Sequence, residues 1–153
     1  MQIRPATPPD AQAISALIQS VATYFTVHPD GSGAADFLKT ISTAAIAQRI
    51  RDADFLYFVG YVDEQLAGVV SVRGNKHIHH LFVSAKYQRL GYARALWEAA
   101  KEHAVQRGNS GEFTVNSTPF AAPVYAKFGF EATGPKVETK GIAFIPMKLR
   151  PHT

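Results

Sequence analysis

Gln88, Gly91 and Ala93 carry the clearest chemical signal in the chain. They stand in the run Gln88-Arg89-Leu90-Gly91-Tyr92-Ala93, which follows the apolar run His77–Val83 and opens a helical run reaching about Arg107. A glycine-bearing turn from strand to helix leaves backbone N–H groups free, with the positive end of a helix dipole behind them. That arrangement suits phosphate. Gly91 lets a ligand approach its backbone, and Ala93 is small enough to do nearly the same. The run lacks the Gly-x-x-x-x-Gly-Lys-Ser/Thr loop of nucleotide hydrolases and the Gly-x-Gly-x-x-Gly of dinucleotide folds. Taken alone, it is also compatible with an ordinary helix start.

Other chemistry-bearing residues flank this turn. His77, His79 and His80 lie on the preceding strand. Strict alternation sends His79 and His80 to opposite faces, so one of them at most would face a ligand. His77 and His79 then share a face, a weak metal signal without a carboxylate partner. Downstream, Asn116 closes an expected strand, where a buried amide can bind a ligand or begin a turn. Tyr125 sits in the apolar run Val124–Phe128. Its phenol, with an ordinary pKa near 10, is a usable proton donor at neutral pH or a plain packing group. With no Cys in the chain there is neither a disulfide nor a thiolate nucleophile.

The elements that must position these residues can be read from periodicity and turn signals. Gln2–Arg4 reads as a strand, and Pro8-Pro9-Asp10 starts a helix with Thr7 as N-cap. Ala11, Ile14, Leu17, Ile18 and Val21 give that helix one apolar face. Residues 28–33 form a loop, and residues 34–52 are helical, in two pieces. Three strands follow, 55–62, 66–73 and 77–83, joined as hairpins through Asp63-Glu64-Gln65 and Gly74-Asn75. The helix from Tyr92 faces Leu96, Ala100 and Ala104 inward and ends at Gly108. A strand over 112–116, a short helix from Thr118 to about Phe128, a strand from Phe130 and a strand over 142–149 complete the order, before a tail at 151–153. The expected architecture is a mixed sheet with helices packed against it.

Composition bounds the class. The chain has 153 residues, 46% hydrophobic and 18% charged, which is ordinary for a soluble globular domain. No linker or repeat interrupts it, so residues 1–153 read as a single domain. No apolar run approaches the ~18 residues of a membrane span, and the N-terminus has no apolar signal-peptide core. A cytoplasmic location is expected. Residues 1–72 hold four Lys/Arg against seven Asp/Glu, and residues 73–153 hold twelve against five. The basic half contains the glycine turn and would attract an anionic ligand. Its cations never form a block, which gives nucleic-acid binding little support. The acidic half hints at a cationic second substrate.

The run Leu81-Phe82-Val83 through Gln88, Gly91, Ala93 and Leu96 resembles the acetyl-CoA-binding segment of the GNAT N-acetyltransferase superfamily. The stretch Asn116 to Phe130, with Tyr125 and Gly129-Phe130, is similar to a second family segment about 30 residues on, and the element order agrees over almost the whole length. The resemblance implies the GNAT fold, a mostly antiparallel twisted sheet flanked by about four helices. It implies acetyl-CoA as cosubstrate, bound through Leu81, Phe82, Val83, Gln88, Arg89, Leu90, Gly91, Tyr92, Ala93, Arg94, Asn116 and Tyr125, with no metal. Amides of Arg89–Ala93 would bind the pyrophosphate, and backbone groups of Phe82 and Val83 the pantetheine arm. Arg89, Arg94 and Lys127 would meet its phosphates, or else remain solvated. The thioester would lie between strands splaying near Val83 and Asn116, its oxygen polarised by an N–H near Val83. Tyr125 would protonate the departing thiolate. His79 stands where family members often carry a basic Glu, with His80 or a water chain as alternatives. Tyr24-Phe25 and the 28–33 loop would cover the acceptor, a small-molecule amine or a peptide. A homodimer is frequent among such proteins. The alternatives are transfer of a longer acyl chain, or a non-catalytic acyl-CoA-binding or protein-interaction module of the same fold.

Overall fold

The computed structural model describes residues 1–28 and 30–151. Pro29 of the expected loop and the last two residues of the expected tail lie outside the described residues. The strands are β1 (Gln2–Pro5), β2 (Phe55–Val62), β3 (Gln65–Arg73), β4 (His77–Val83), β5 (Phe113–Ser117), β6 (Glu131–Ala132), β7 (Val137–Thr139) and β8 (Ile142–Leu149). The α-helices are α1 (Ala11–Ser20), α2 (Ala35–Thr40), α3 (Thr43–Ile50), α4 (Tyr92–Gln106) and α5 (Ala122–Lys127). There are five α-helices, the 34–52 stretch forming two pieces as expected: it breaks at Ile41-Ser42, where the Ser42 side chain caps α3. The start at Pro8–Asp10 is a separate 3-10 turn, and α1 proper begins at Ala11.

The sheet order is β1-β2-β3-β4-β5-β8-β6, with β7 on β8. Every pairing is antiparallel except β4 with β5. Tight turns set the meander. Asp63 and Glu64 both take positive φ, +47° and +68°, in a two-residue turn whose twist suits a hairpin. Gln65 already pairs with Val62, so β3 begins one residue earlier than expected. The same device at Lys140-Gly141 makes the β7–β8 hairpin, which sequence reading missed. β5 lies one residue later than expected, and the helix expected from Thr118 forms only from Ala122.

The two faces of the sheet bury different helices. Ile14, Leu17 and Ile18 of α1 and Ile46 of α3 pack with Tyr57, Val59 and Val69 on one face. Leu96 and Ala100 of α4 pack with Val70 and Val72 on the other. Adjacent strand residues Val69 and Val70 thus serve opposite layers, as a period of two requires. All of these side chains are under 7% exposed. α4 lies close on β3 because Gly68 has no side chain: a Cβ there would come within 2.7 Å of Leu96 Cδ1 and 3.0 Å of the Phe82 carbonyl oxygen. This contact fixes the start of α4, and with it the glycine turn, against the centre of the sheet.

Candidate active site

β4 and β5 run parallel but pair only at His77 with Thr114 and Ile78 with Val115. Beyond Ile78 they diverge, and the edge of β4 from His79 to Val83 that faces β5 is unpaired. A cleft of about 610 Å³ opens there. It is lined by β4 from Ile78, by the Gln88–Arg94 turn, by the end of β5 and by α5.

The glycine turn forms one end. Gly91 is the N-cap of α4 with φ +81°, and Arg89 is also left-handed at φ +65°. The first donor inside α4 is Ala95, bonded to the Gly91 carbonyl at 3.1 Å. The N–H groups of Gly91–Arg94 therefore precede the helical ladder. A Cβ added to Gly91 would meet nothing within 4 Å, so the approach to these amides is open. Gln88 plays a structural part here: its amide donates to the Val83 carbonyl at 3.0 Å and ties the turn to the strand. Leu90 is exposed, at 60%. Arg94 lies 5.0 Å over the Phe128 ring and 3.8 Å from Glu98. Arg89 and Lys127 also line the cleft.

The histidines depart from the sequence reading. β4 carries a bulge: Ser71 pairs with His80 and Val72 with Ile78, so His79 is an extra residue. Alternation breaks at that point. His79 and His80 do not point to opposite faces; their ring centroids are 4.2 Å apart. His80 lies 6.4 Å from the Tyr57 ring and His79 5.3 Å from Phe55, both aromatics of the α1 layer. Both rings line the cleft. His79 Nε2 and His80 Nδ1 are buried without a hydrogen-bond partner among the described residues. Burial, helped by Arg49 and Arg73, lowers the His79 pKa to about 4. Burial, then His79, holds His80 well below its ordinary value. Both rings are neutral at pH 7. His77 instead hydrogen-bonds Thr114 Oγ1 through Nδ1 at 2.7 Å. No group of three His, Cys, Asp or Glu suited to a metal occurs among the described residues.

Across the splay, Tyr125 is 4% exposed and packs edge-on to Phe130 at 5.4 Å. It lines the cleft. Burial raises its pKa above the ordinary phenol range. Asn116 also lines the cleft but is exposed on β5, not buried as expected, since Ser117 takes the inward position after it. Leu81, Phe82, Val83, Tyr92 and Ala93 complete the set brought together here.

Several cleft residues escaped sequence reading: Val21, Tyr87, Ser117 and Phe120. Phe120 had a usable signal, an aromatic in a Thr-Pro-led loop just after a strand. It is 52% exposed and stacks on Tyr24 with centroids 4.2 Å apart and planes 6° from parallel. Tyr24 follows α1, so the stack joins the two walls of the cleft. Phe25, beside it, packs inward against Phe37 and Phe82.

The site is thus a mixed sheet parted between β4 and β5, with an open glycine turn at the parting. A family model described as an acetyltransferase (GNAT) domain matches residues 25–151, and the chain belongs to that family. Solved structures agree on the fold. A GCN5-related N-acetyltransferase from Rhodopseudomonas palustris is similar with a TM-score of 0.78 at 24% identity, over 97% of this chain and 94% of that one. The PaiA N-acetyltransferase from Thermoplasma acidophilum, in complex with coenzyme A, gives 0.78 at 15% identity, over 97% and 98%. The ribosomal-protein-S18-alanine N-acetyltransferase from Escherichia coli gives 0.70 at 19% identity, over 97% and 92%. No curated protein matches the chain in sequence. No helix among the described residues is long and apolar enough to cross a membrane.

Proposed function

We propose that this protein, acting as one domain over residues 1–153, transfers an acetyl group from acetyl-CoA to a primary amine. The observation that carries the reading is the continuity of one cleft, from the open amides at Gly91 through the β4–β5 splay to Tyr125 and His79. The residues suit acetyl-CoA. The N–H groups of Gly91–Arg94 present donors to its pyrophosphate, with Arg89 and Lys127 beside them. The free edge of β4 at Phe82 and Val83 offers backbone groups to the extended pantetheine arm, as a further strand would.

Each residue then has a limited task. An N–H near Val83 stabilises the negative charge that develops on the thioester oxygen. The amine nitrogen forms the new N–C bond as the C–S bond breaks. The nitrogen's proton becomes acidic as that bond forms, and His79, neutral with a pKa of about 4, accepts it then and passes it to water or to His80. Tyr125 gives its proton to the departing sulfur. Burial that raises its pKa keeps it protonated until charge appears beside it.

Thermal shift and CoA release test the reading. Acetyl-CoA should raise the Tm of the native protein and not that of Gly91→Glu, which puts bulk and negative charge at the open turn. Equal shifts in both would place the pyrophosphate elsewhere. Tyr125→Phe should lower kcat by about 10²-fold or more while acetyl-CoA affinity stays nearly constant. Unchanged kcat would remove Tyr125 from the chemistry. A binding module of the same fold would show the thermal shift yet release no CoA with any amine.

A further inference from the structure

The glycine-turn end of the cleft and its opposite end differ in chemistry. Arg89, Arg94 and Lys127 stand with the turn and α5. The end on the α1 side is lined by Val21, Tyr24, Phe82, Phe120, His79 and His80. Among the described residues no Asp or Glu lines any part of the cleft. The acidic N-terminal half does not reach it: Asp10, its one buried carboxylate, is held by Arg4 at 2.8 Å. The cationic second substrate suggested by that acidity therefore finds no counter-charge here.

What this end offers is specific in another way. Tyr24 and Phe120 form a stacked wall, and Val21 and Phe82 line the same end. Among the described residues, the buried side-chain polar atoms that line the cleft without a hydrogen-bond partner are His79 Nε2 and His80 Nδ1, on rings 4.2 Å apart. A lone buried nitrogen pair can meet one amino group. A second ammonium on the same molecule would find no carboxylate among the described lining residues to pair with. Resting on the function proposed above, we infer that the acceptor is a primary amine on a compact aromatic or apolar body with no second charge, its nitrogen at His79 and His80 and its body against Tyr24 and Phe120. The same apolar surroundings favour the uncharged amine over its ammonium, which is the form that can attack a carbonyl.

Three probes distinguish this from a polycation site: 2-phenylethylamine, spermidine and kanamycin. Each is titrated calorimetrically into the full-length protein, with and without CoA, and each is offered with acetyl-CoA while CoA release is followed. Phenylethylamine should bind, and its kcat/KM should exceed those of the other two by about tenfold or more, the ratio set by about 1.4 kcal/mol. Phe120→Asp, at a half-exposed position, should raise KM for phenylethylamine and narrow that ratio while leaving acetyl-CoA affinity unchanged. Spermidine or kanamycin used as well as phenylethylamine overturns the inference, and so does failure of phenylethylamine to bind. If phenylethylamine binds and no acceptor releases CoA, the acceptor site stands and the proposed transfer falls.

Discussion

His79 shows how one inserted residue changes a site. A regular strand would place its ring and that of His80 apart; the bulge brings them side by side, tilted by 37°, each with an unpartnered nitrogen. Nothing in the run Ile78-His79-His80-Leu81 marks that insertion, because a bulge is set by the register of the partner strand and not by residue type. Gly91 as the glycine that opens α4, by contrast, is readable from its type and place, and its left-handed φ agrees; Tyr125 is singled out by its resemblance to a family segment. The His79 ring also makes stability depend on pH. Its folded pKa of about 4 lies below the ordinary 6.5. Between those values the unfolded chain takes up a proton that the folded chain refuses, so stability is fully present above 6.5 and falls as pH drops toward 4. The full loss from this ring is about 3 kcal/mol. Urea midpoints at pH 7 and pH 5 should therefore differ less in His79→Gln than in the native protein. His77 and His80, still present in both, supply the remaining slope. An identical slope in the two proteins would mean that the ring is not desolvated in solution.

The elements were legible where periodicity was strong and obscure where geometry depended on partners. The apolar spacing of Ile14, Leu17 and Ile18, and the β-branched run of β3, announced themselves. β7 did not, being three residues held only by β8. The start of the first helix is read as a Thr7 cap, and Thr7 does cap the turn Pro8–Asp10, in a capping box shared with Asp10. The Asp10 carboxylate takes two bonds from Arg4, both at 2.8 Å, one from the Thr7 N–H at 2.8 Å and one from the Tyr61 hydroxyl at 2.9 Å. One buried side chain thus joins β1, the turn before α1 and β2. These bonds hold its pKa far below the ordinary 3.8, the Arg4 bonds most of all. It stabilises the fold above that ordinary value, and the contribution fades as pH falls below it. Asp10→Asn should cost about 1–3 kcal/mol at pH 7, read as a lower urea midpoint. The deficit should shrink as pH falls below about 3.8, since the native carboxyl then also becomes neutral. A deficit that stays constant into strong acid would point to lost packing rather than lost charge.

At the scale of the whole molecule, charge segregation was legible and its meaning only half so. Arg89, Arg94 and Lys127 of the basic half line the cleft with the glycine turn, whereas the acidic half puts its one buried carboxylate into internal joints and, among the described residues, supplies none to the cleft. No count of charges along a chain can show which of them face inward, since that depends on long-range pairing. The longest-range pairing here belongs to β8. Ile142 bridges to Thr26, the Ala143 N–H donates to the Phe25 carbonyl at 2.8 Å, and the Val27 N–H donates to the Gly141 carbonyl at 2.8 Å. The turn before β8 is seated so closely that a Cβ on Gly141 would come within 2.6 Å of the Ala34 nitrogen. The consequence concerns synthesis on the ribosome. The meander of β2, β3 and β4 consists of neighbours in sequence and can form as soon as it emerges. The segment carrying Tyr24 and Phe25 must wait, after more than a hundred residues of synthesis, for the strand that fixes it. A nascent chain halted before Ile142 has its central hairpins and its glycine turn, yet the segment carrying Tyr24 and Phe25 lacks the strand that bonds its backbone.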